Sequence, residues 1–172
     1  MNQAEKAELL EQIEKWNDAD EFARCIEAIE AIPEQERDYL LTLKLGRAYS
    51  NLAVLGDHGA LGENAEVDGD LLRHAIDLLE SVRTQGENDP YWNARMGYSC
   101  LMAYSSAATA YEYAKRWLAL LPDDPAAQKL VRDFEEYLEE EKALELDLKE
   151  REEIIRKETP DDVKKKGGGI CK

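Results

Sequence analysis

The chain has 172 residues, of which 44% are hydrophobic and 35% charged, a composition that favours one predominantly helical domain. Its formal net charge of −16 at pH 7 should repel phosphate backbones and anionic lipid surfaces, so we expect no nucleic acid and no membrane among its partners. No apolar run approaches the ~18 residues of a membrane span, and the first residues do not resemble a secretory leader, so we expect a cytoplasmic protein.

Apolar residues recur every three or four positions along most of the chain, which predicts amphipathic helices. Seven are predicted, over about residues 4–16, 20–32, 38–55, 70–82, 90–104, 107–120 and 125–157. Asp89-Pro90 and Asp124-Pro125 are typical helix starts, because each places a capping acid before a proline at the first helical position. For the second helix, Asp18 or Asp20 is the predicted cap.

The last fourteen residues differ in composition from everything before them. From Thr159 onward there is no helical periodicity, and a lysine run is followed by three glycines. We predict a flexible tail over 159–172 and a single helical domain over 1–158. A basic patch for an acidic partner is the alternative interpretation of the tail.

Residues that could carry chemistry form none of the known catalytic or metal-binding patterns. The cysteines at 25, 100 and 171 lack the paired spacings that hold zinc or build disulfides, so we expect ordinary reduced thiols. The sequence contains no nucleophile elbow, no His-Glu zinc helix and no supported Cys-His arrangement. It therefore predicts no catalytic residue, no metal and no cofactor.

Small residues repeat in two successive pairs of predicted helices. Gly46 in the third helix corresponds to Gly97 in the fifth, and Ala75 in the fourth corresponds to Ala110 in the sixth. The two glycines are 51 residues apart, but the first pair contains an excess of 17 residues between its helices, which leaves a period of 34.

These residues and this period resemble the tetratricopeptide repeat (TPR), a 34-residue helix-turn-helix unit in which small residues let two helices pack closely. The resemblance covers roughly residues 20–122. It implies an all-α fold, a TPR-like solenoid of antiparallel helix pairs with about seven helices, in which the long last helix caps the stack. The chain departs from the family pattern at Thr42, Asn93, Cys100 and Trp117.

The excess chain is a loop at about residues 56–70 that holds four glycines and five carboxylates. Asp57, Gly62 and Asp68 would occupy the first, sixth and last places of a calcium-binding loop, but Gly59 and Leu61 stand where oxygen ligands are required. We therefore favour a surface insertion.

In that interpretation Asp68 or Asp70 caps the helix that follows, and His58 and His74 are ordinary polar residues. The alternative is a metal-responsive or catalytic protein centred on this loop, with the two histidines as participants.

Two spans, 39–56 and 90–111, contain no acidic residue, although random placement would supply about nine across their 40 positions. They are mainly the first helices of the two repeat units, which in the TPR family line the concave groove that holds a peptide. By their position in the repeat, the residues expected to line the groove are Arg47, Asn51, Arg95 and Tyr98, flanked by Lys44, Tyr91 and Met102.

The resemblance implies a non-catalytic protein–protein interaction module, an adaptor, scaffold or regulatory subunit that binds a partner peptide or helix. In the family, basic and amide side chains of the groove can clamp a carboxylate, so we expect a protein or peptide partner that is acidic or has a free carboxylate. The competing explanation of the acid-free spans is that these helices are buried and exclude acids by desolvation.

Overall fold

A computed structural model of the protein describes residues 1–61, 66–103 and 107–158. Its α-helices are α1 (Gln3–Asp18), α2 (Phe22–Glu30), α3 (Tyr39–Leu55), α4 (Gly69–Ser81), α5 (Arg83–Gly86), α6 (Pro90–Met102), α7 (Ala107–Leu120) and α8 (Pro125–Glu158). Over these residues no strand occurs, which confirms the predicted all-α class. None of the helices in these ranges combines the length and apolarity that a bilayer span requires.

The structure adds one helix to the seven that were predicted, the single turn α5. Four residues are too few for a periodic stripe, so no sequence pattern indicated it. Beside this turn Trp92 of α6 is fully buried and donates from Nε1 to the carbonyl oxygen of Leu79 on α4 at 2.8 Å. A Cβ at Gly86 would lie 2.4 Å from the Trp92 ring, so only glycine lets the chain pass this close to the indole.

Aspartate side chains begin four of the helices by accepting backbone N–H groups of the first turn. These caps are Asp38 on α3, Asp68 on α4, Asp89 on α6 and Asp124 on α8. The predicted starts at Asp89-Pro90 and Asp124-Pro125 are confirmed, and of the two candidates for α4 the cap is Asp68. The prediction for α2 is wrong, because its N-cap position falls on Glu21, one residue past Asp20, and the Glu21 side chain makes no capping bond.

Helices that follow one another pack against each other as far as α7. Contacts join α1 to α2, α2 to α3, α3 to α4, α4 to α5, α5 to α6 and α6 to α7. Helices that are not consecutive also meet: α1 with α3, α3 with α6, and α4 with α6. The helix α3 therefore touches both α1 and α6, and the three bring their side chains together.

The two glycines that are 51 residues apart make corresponding contacts. A Cβ at Gly46 would lie 2.9 Å from Leu79 Cγ and 3.4 Å from the carbonyl oxygen of Ala75 on α4. A Cβ at Gly97 would lie 3.6 Å from the carbonyl oxygen of Ala110 on α7. In both pairs the first helix thus approaches the second at its glycine, and the approach is closer at Gly46.

Contacts divide the chain into two compact units, 1–132 and the residues from 133 onward. The helix α8 begins in the first unit, where Ala127, Leu130 and Val131 are buried, and continues in the second. The single domain over 1–158 and the capping role of α8 stay predictions. The predicted tail, 159–172, lies outside the described residues.

We expect Gly46→Ala to destabilise the protein and Gly97→Ala to be neutral or stabilising. Alanine is favoured over glycine inside a helix by up to ~1 kcal/mol at either site. At position 46 the new methyl group would overlap the fully buried Leu79, and overpacking of a core typically costs ~1–3 kcal/mol, whereas at position 97 there is room. Thermal unfolding followed by circular dichroism measures both variants, and a lower midpoint for Gly97→Ala than for Gly46→Ala would contradict these contacts.

Candidate functional site

The insertion between α3 and α4 is tied to the turn between α1 and α2. The Asp57 carboxylate accepts a hydrogen bond from the Ala23 N–H at 3.0 Å, so it supplies the cap that α2 lacks locally. The His58 N–H donates to the carbonyl oxygen of Asp20 at 2.7 Å. Two further backbone hydrogen bonds tie the insertion to the end of α3. The Leu61 N–H donates to the carbonyl oxygen of Leu55, and the Asp68 N–H donates to that of Ala53, both at 3.0 Å.

Two of the positions in the calcium-loop pattern are engaged with helix N-termini. Asp57 caps α2, and Asp68 Oδ1 accepts the N–H groups of Asp70 and Leu71 at 3.1 and 3.0 Å. The third position, Gly62, lies outside the described residues. Over the described ranges, no three or more His, Cys, Asp and Glu side chains are placed to hold a metal ion.

The two histidines of the alternative interpretation contact different residues. His58 Nε2 lies 3.7 Å from the Asp57 carboxylate. The His74 ring packs edge-on against Tyr49, with 4.7 Å between ring centroids, and the Tyr49 hydroxyl donates to Glu30 at 2.6 Å. These contacts give each histidine a structural partner.

Most of the residues predicted to line a groove are half-buried on α3 and α6. They are Lys44, Arg47, Asn51, Arg95 and Tyr98. The predicted flanks Tyr91 and Met102 are exposed on α6. Together with Glu14 and Asn17 of α1, the five half-buried residues form what we call the α1–α3–α6 face.

Glu14 is the acidic residue of this face, and it was not among the residues predicted from the sequence. Its carboxylate forms ion pairs with Lys44 Nζ and with Arg47 Nη1, the latter at 2.9 Å. Burial by itself raises the pKa of Glu14, but hydrogen bonds and charge from Lys44 and Arg47 outweigh it and hold the pKa below its ordinary value. The acid-free spans therefore do not leave the face without a carboxylate, because α1 supplies one.

Uncharged polar side chains also join the three helices. Asn51 Nδ2 donates to Asn17 Oδ1 at 3.1 Å, which links α3 to α1. The hydroxyl groups of Ser50 and Ser99 are hydrogen-bonded at 2.9 Å in the interior, which links α3 to α6. These bonds orient the helices whose charged side chains lie beside them.

Arg95 is the cation of the face that makes no ion pair with the residues that the structure describes, although the charge of Glu14 acts on it from a distance. Among the described residues, no hydrogen bond or ion pair is formed by its guanidinium group. Burial first, and the positive charge of Arg47 second, lower the pKa of Arg95 to about 10, so the group still carries its charge at neutral pH. The Nε of Arg47 is also buried without an acceptor within the described part of the chain. Two guanidinium groups therefore keep unused donors.

The predicted aromatic residues are placed differently from each other. Tyr98 interacts electrostatically with Arg95, and its ring lies edge-on to Trp117 of α7 with 6.0 Å between centroids. Tyr91 lies at the start of α6, one residue after Pro90, and is 68% exposed. The structure therefore places Tyr98, but not Tyr91, beside the charged residues of the α1–α3–α6 face.

Spacing along the chain could have indicated the contribution of α1. Glu14 precedes Arg47 by 33 residues and Asn17 precedes Asn51 by 34, both close to the period inferred from the glycines. If α1 is treated as the first member of a helix pair, this spacing predicts both contacts. Glu14 and Asn17 were missed because the resemblance to the repeat was limited to roughly residues 20–122, which leaves α1 out.

Comparisons with known proteins identify no relative. No protein-family model matches the chain, and neither a curated protein nor a solved structure is significantly similar to it. The interpretation of the α1–α3–α6 face therefore rests on this chain's own residues.

We expect Asp57→Ala to lower the free energy of unfolding by about 1 kcal/mol, the usual effect of losing a helix cap. Asp57→Asn should retain most of the stability, because its side-chain oxygen still accepts the Ala23 N–H. Urea unfolding measures both. Equal losses for the two variants would indicate that the charge of Asp57, and not its capping bond, is what the loop requires.

We expect Glu14→Gln to lower the free energy of unfolding at pH 7 by about 1 kcal/mol, because charge-assisted hydrogen bonds to Lys44 and Arg47 are lost. The folded-state pKa of Glu14 lies below its unfolded value, so this stabilisation is present above the unfolded pKa and disappears as the pH falls through the folded pKa.

Urea unfolding of both proteins at neutral pH and at about pH 3 tests this linkage. The difference should be largest at neutral pH and should shrink as the pH falls and Glu14 becomes protonated. Glu8→Gln, on the exposed side of the same helix, is the matched control and should change stability at neither pH. A difference in free energy of unfolding between the wild type and Glu14→Gln that is as large at pH 3 as at pH 7 would contradict the assigned ion pairs.

Proposed function

We propose that the protein is a non-catalytic interaction module, built as a TPR-like solenoid, that binds a segment of another protein on the α1–α3–α6 face. The pairwise contacts support this architecture: α1 with α2, α3 with α4 and α6 with α7 are helix pairs, and their first members contact one another in turn. The corresponding contacts of Gly46 and Gly97 support it as well.

In this proposal α1 and α2 form a complete first pair, so the chain has three helix pairs and the repeat begins at α1, ahead of residue 20. The bonds between α1 and α3 at spacings of 33 and 34 residues are what a repeat of about 34 would produce. The insertion between α3 and α4 is then an addition to the second pair.

The functional proposal rests on one observation, that the half-buried guanidinium group of Arg95 makes no ion pair with any described residue. A half-buried guanidinium group without an ion pair is costly, and a carboxylate from outside would relieve both its desolvation and its repulsion by Arg47. Guanidinium groups bind carboxylates through two parallel hydrogen bonds, which gives strength and direction. We therefore assign the partner's carboxylate, from a side chain or a chain end, to Arg95.

The other predicted residues receive different roles in the proposal. Lys44 is already engaged by Glu14, so it holds α1 in place and contributes less to the partner. Tyr98, Asn51 and the exposed Met102 lie on the same two helices as the arginines and supply contacts around the carboxylate. An adaptor, a scaffold and a regulatory subunit all fit this mechanism, and a cytoplasmic location is part of the same proposal.

We expect Arg95→Gln to weaken partner binding by about 10- to 100-fold, the loss that corresponds to one charge-assisted interaction of about 1.5–3 kcal/mol. Arg73→Gln is the matched control, because it makes the same substitution at an exposed arginine on α4. Both variants should keep the wild-type helicity. Arg47→Glu is less suitable, since it would place a second acid beside Glu14 and disturb α1.

The measurement has two stages. Affinity capture from lysate with mass spectrometry compares the wild type, Arg95→Gln and Arg73→Gln, and titration then compares peptides of the captured partner with free and amidated carboxylates. Binding that is lost in Arg95→Gln and retained in Arg73→Gln supports the proposal. Capture by Arg95→Gln at the wild-type level would show that the face is assigned wrongly.

A further inference from the structure

The part of α8 that lies beyond residue 133 carries an exposed apolar stripe. Tyr137, Leu144, Leu148 and Ile155 are 53%, 61%, 52% and 63% exposed. They follow one another at intervals of seven, four and seven residues. This is the spacing of the seam along which helices pair in a coiled coil, and the seam has two more positions, 141 and 151.

The seam is symmetric about residue 146. Three pairs of seam positions are equidistant from that centre: 144 with 148, 141 with 151, and 137 with 155. When two copies of the helix lie antiparallel about this centre, Leu144 of one faces Leu148 of the other, and Tyr137 faces Ile155. The two charged positions of the seam also face each other, and they carry opposite charges, Glu141 and Arg151.

We propose that this segment of α8 pairs with the same segment of a second copy of the chain in antiparallel orientation, in a coiled coil centred on residue 146. In a parallel pair each seam residue would face its own counterpart, so Glu141 would meet Glu141 and Arg151 would meet Arg151. Like charges in a seam are unfavourable, and they disfavour that arrangement. The charge pattern therefore matches this helix to itself in one orientation.

Residues beside the seam are compatible with the antiparallel pair. Near its centre Glu145 and Asp147 would each approach their own counterparts. Glu145 is paired on its own helix with Lys149 at 2.7 Å. Asp147 is paired with Arg151 at 2.9 Å, so in the dimer Arg151 would be shared between Asp147 and Glu141 of the second copy. Towards the ends Leu138 and the exposed Ile154 widen the apolar contact. The pairing uses no residue of the α1–α3–α6 face, so it is independent of the proposed function.

Sedimentation equilibrium of the full chain tests the pairing. The wild type should reach twice the mass of one chain as concentration rises. Glu141→Arg and Arg151→Glu should each raise the dimer dissociation constant by about tenfold or more, because each places like charges opposite one another. The double variant restores opposite charges and should return the constant to near the wild-type value.

Glu139→Arg is the matched control, because it makes the same charge change on the side of the helix away from the seam and should leave the dissociation constant nearly unchanged. Circular dichroism should give the same helicity for all variants. A wild type that is monomeric at every concentration, or that associates only with a different protein, would overturn the proposal. Single variants that dimerise as the wild type does would overturn the antiparallel assignment.

Cross-linking gives a second reading of the orientation in a Cys171→Ser background. Chains with Leu144→Cys, mixed with chains that carry Leu148→Cys, should form the mixed disulfide under mild oxidation. Efficient cross-linking of Leu144→Cys to itself, with no mixed product, would show a parallel pair and would overturn the proposal.

Discussion

The close approach of paired helices is the constraint on which the rest of the first unit depends. At Gly46 the backbone of α3 lies so near Leu79 of α4 that a methyl group does not fit. At Gly86 the backbone lies close to the Trp92 ring, and a methyl group does not fit there either. Besides α4, the helix α3 contacts α2, α1 and α6. Where it meets α1 and α6, Arg47 pairs with Glu14 and influences Arg95. Gly46 thus helps to fix the position of α3, the helix that carries Lys44 and Arg47.

Burial alone does not account for the absence of acids from α3 and α6. Desolvation penalises charges of both signs, so a purely steric and apolar environment would exclude lysine and arginine as well. Lys44, Arg47 and Arg95 nevertheless lie there, half-buried, with one acid among them. An excess of positive charge in a chain of net charge −16 concentrates attraction for an anionic group at one place, which is the physical basis of the functional proposal.

Features that depend on neighbours in the chain could be predicted from the sequence. The bounds of α7 and the caps at Asp89 and Asp124 are set by local periodicity and by side chains that reach their own helix. The features that were missed depend on residues far apart: Glu14 reaches Arg47 across 33 positions, and Asp57 caps α2 across 34. Local patterns carry no information on such contacts unless the repeat spacing is used to extend them.

The insertion illustrates how extra chain can be accommodated without separating the helices it connects. Lengthening a loop costs little entropy, since each doubling adds only ~0.6 kcal/mol, provided that its ends stay close. Here the Asp68 N–H bonds to Ala53, so the chain returns to the end of α3 before α4 begins. In the same segment, the Asp57 carboxylate accepts the Ala23 N–H and so caps the N-terminus of α2. The insertion therefore contributes a capping bond to the neighbouring pair, and this bond gives Asp57 a structural role that requires no cation.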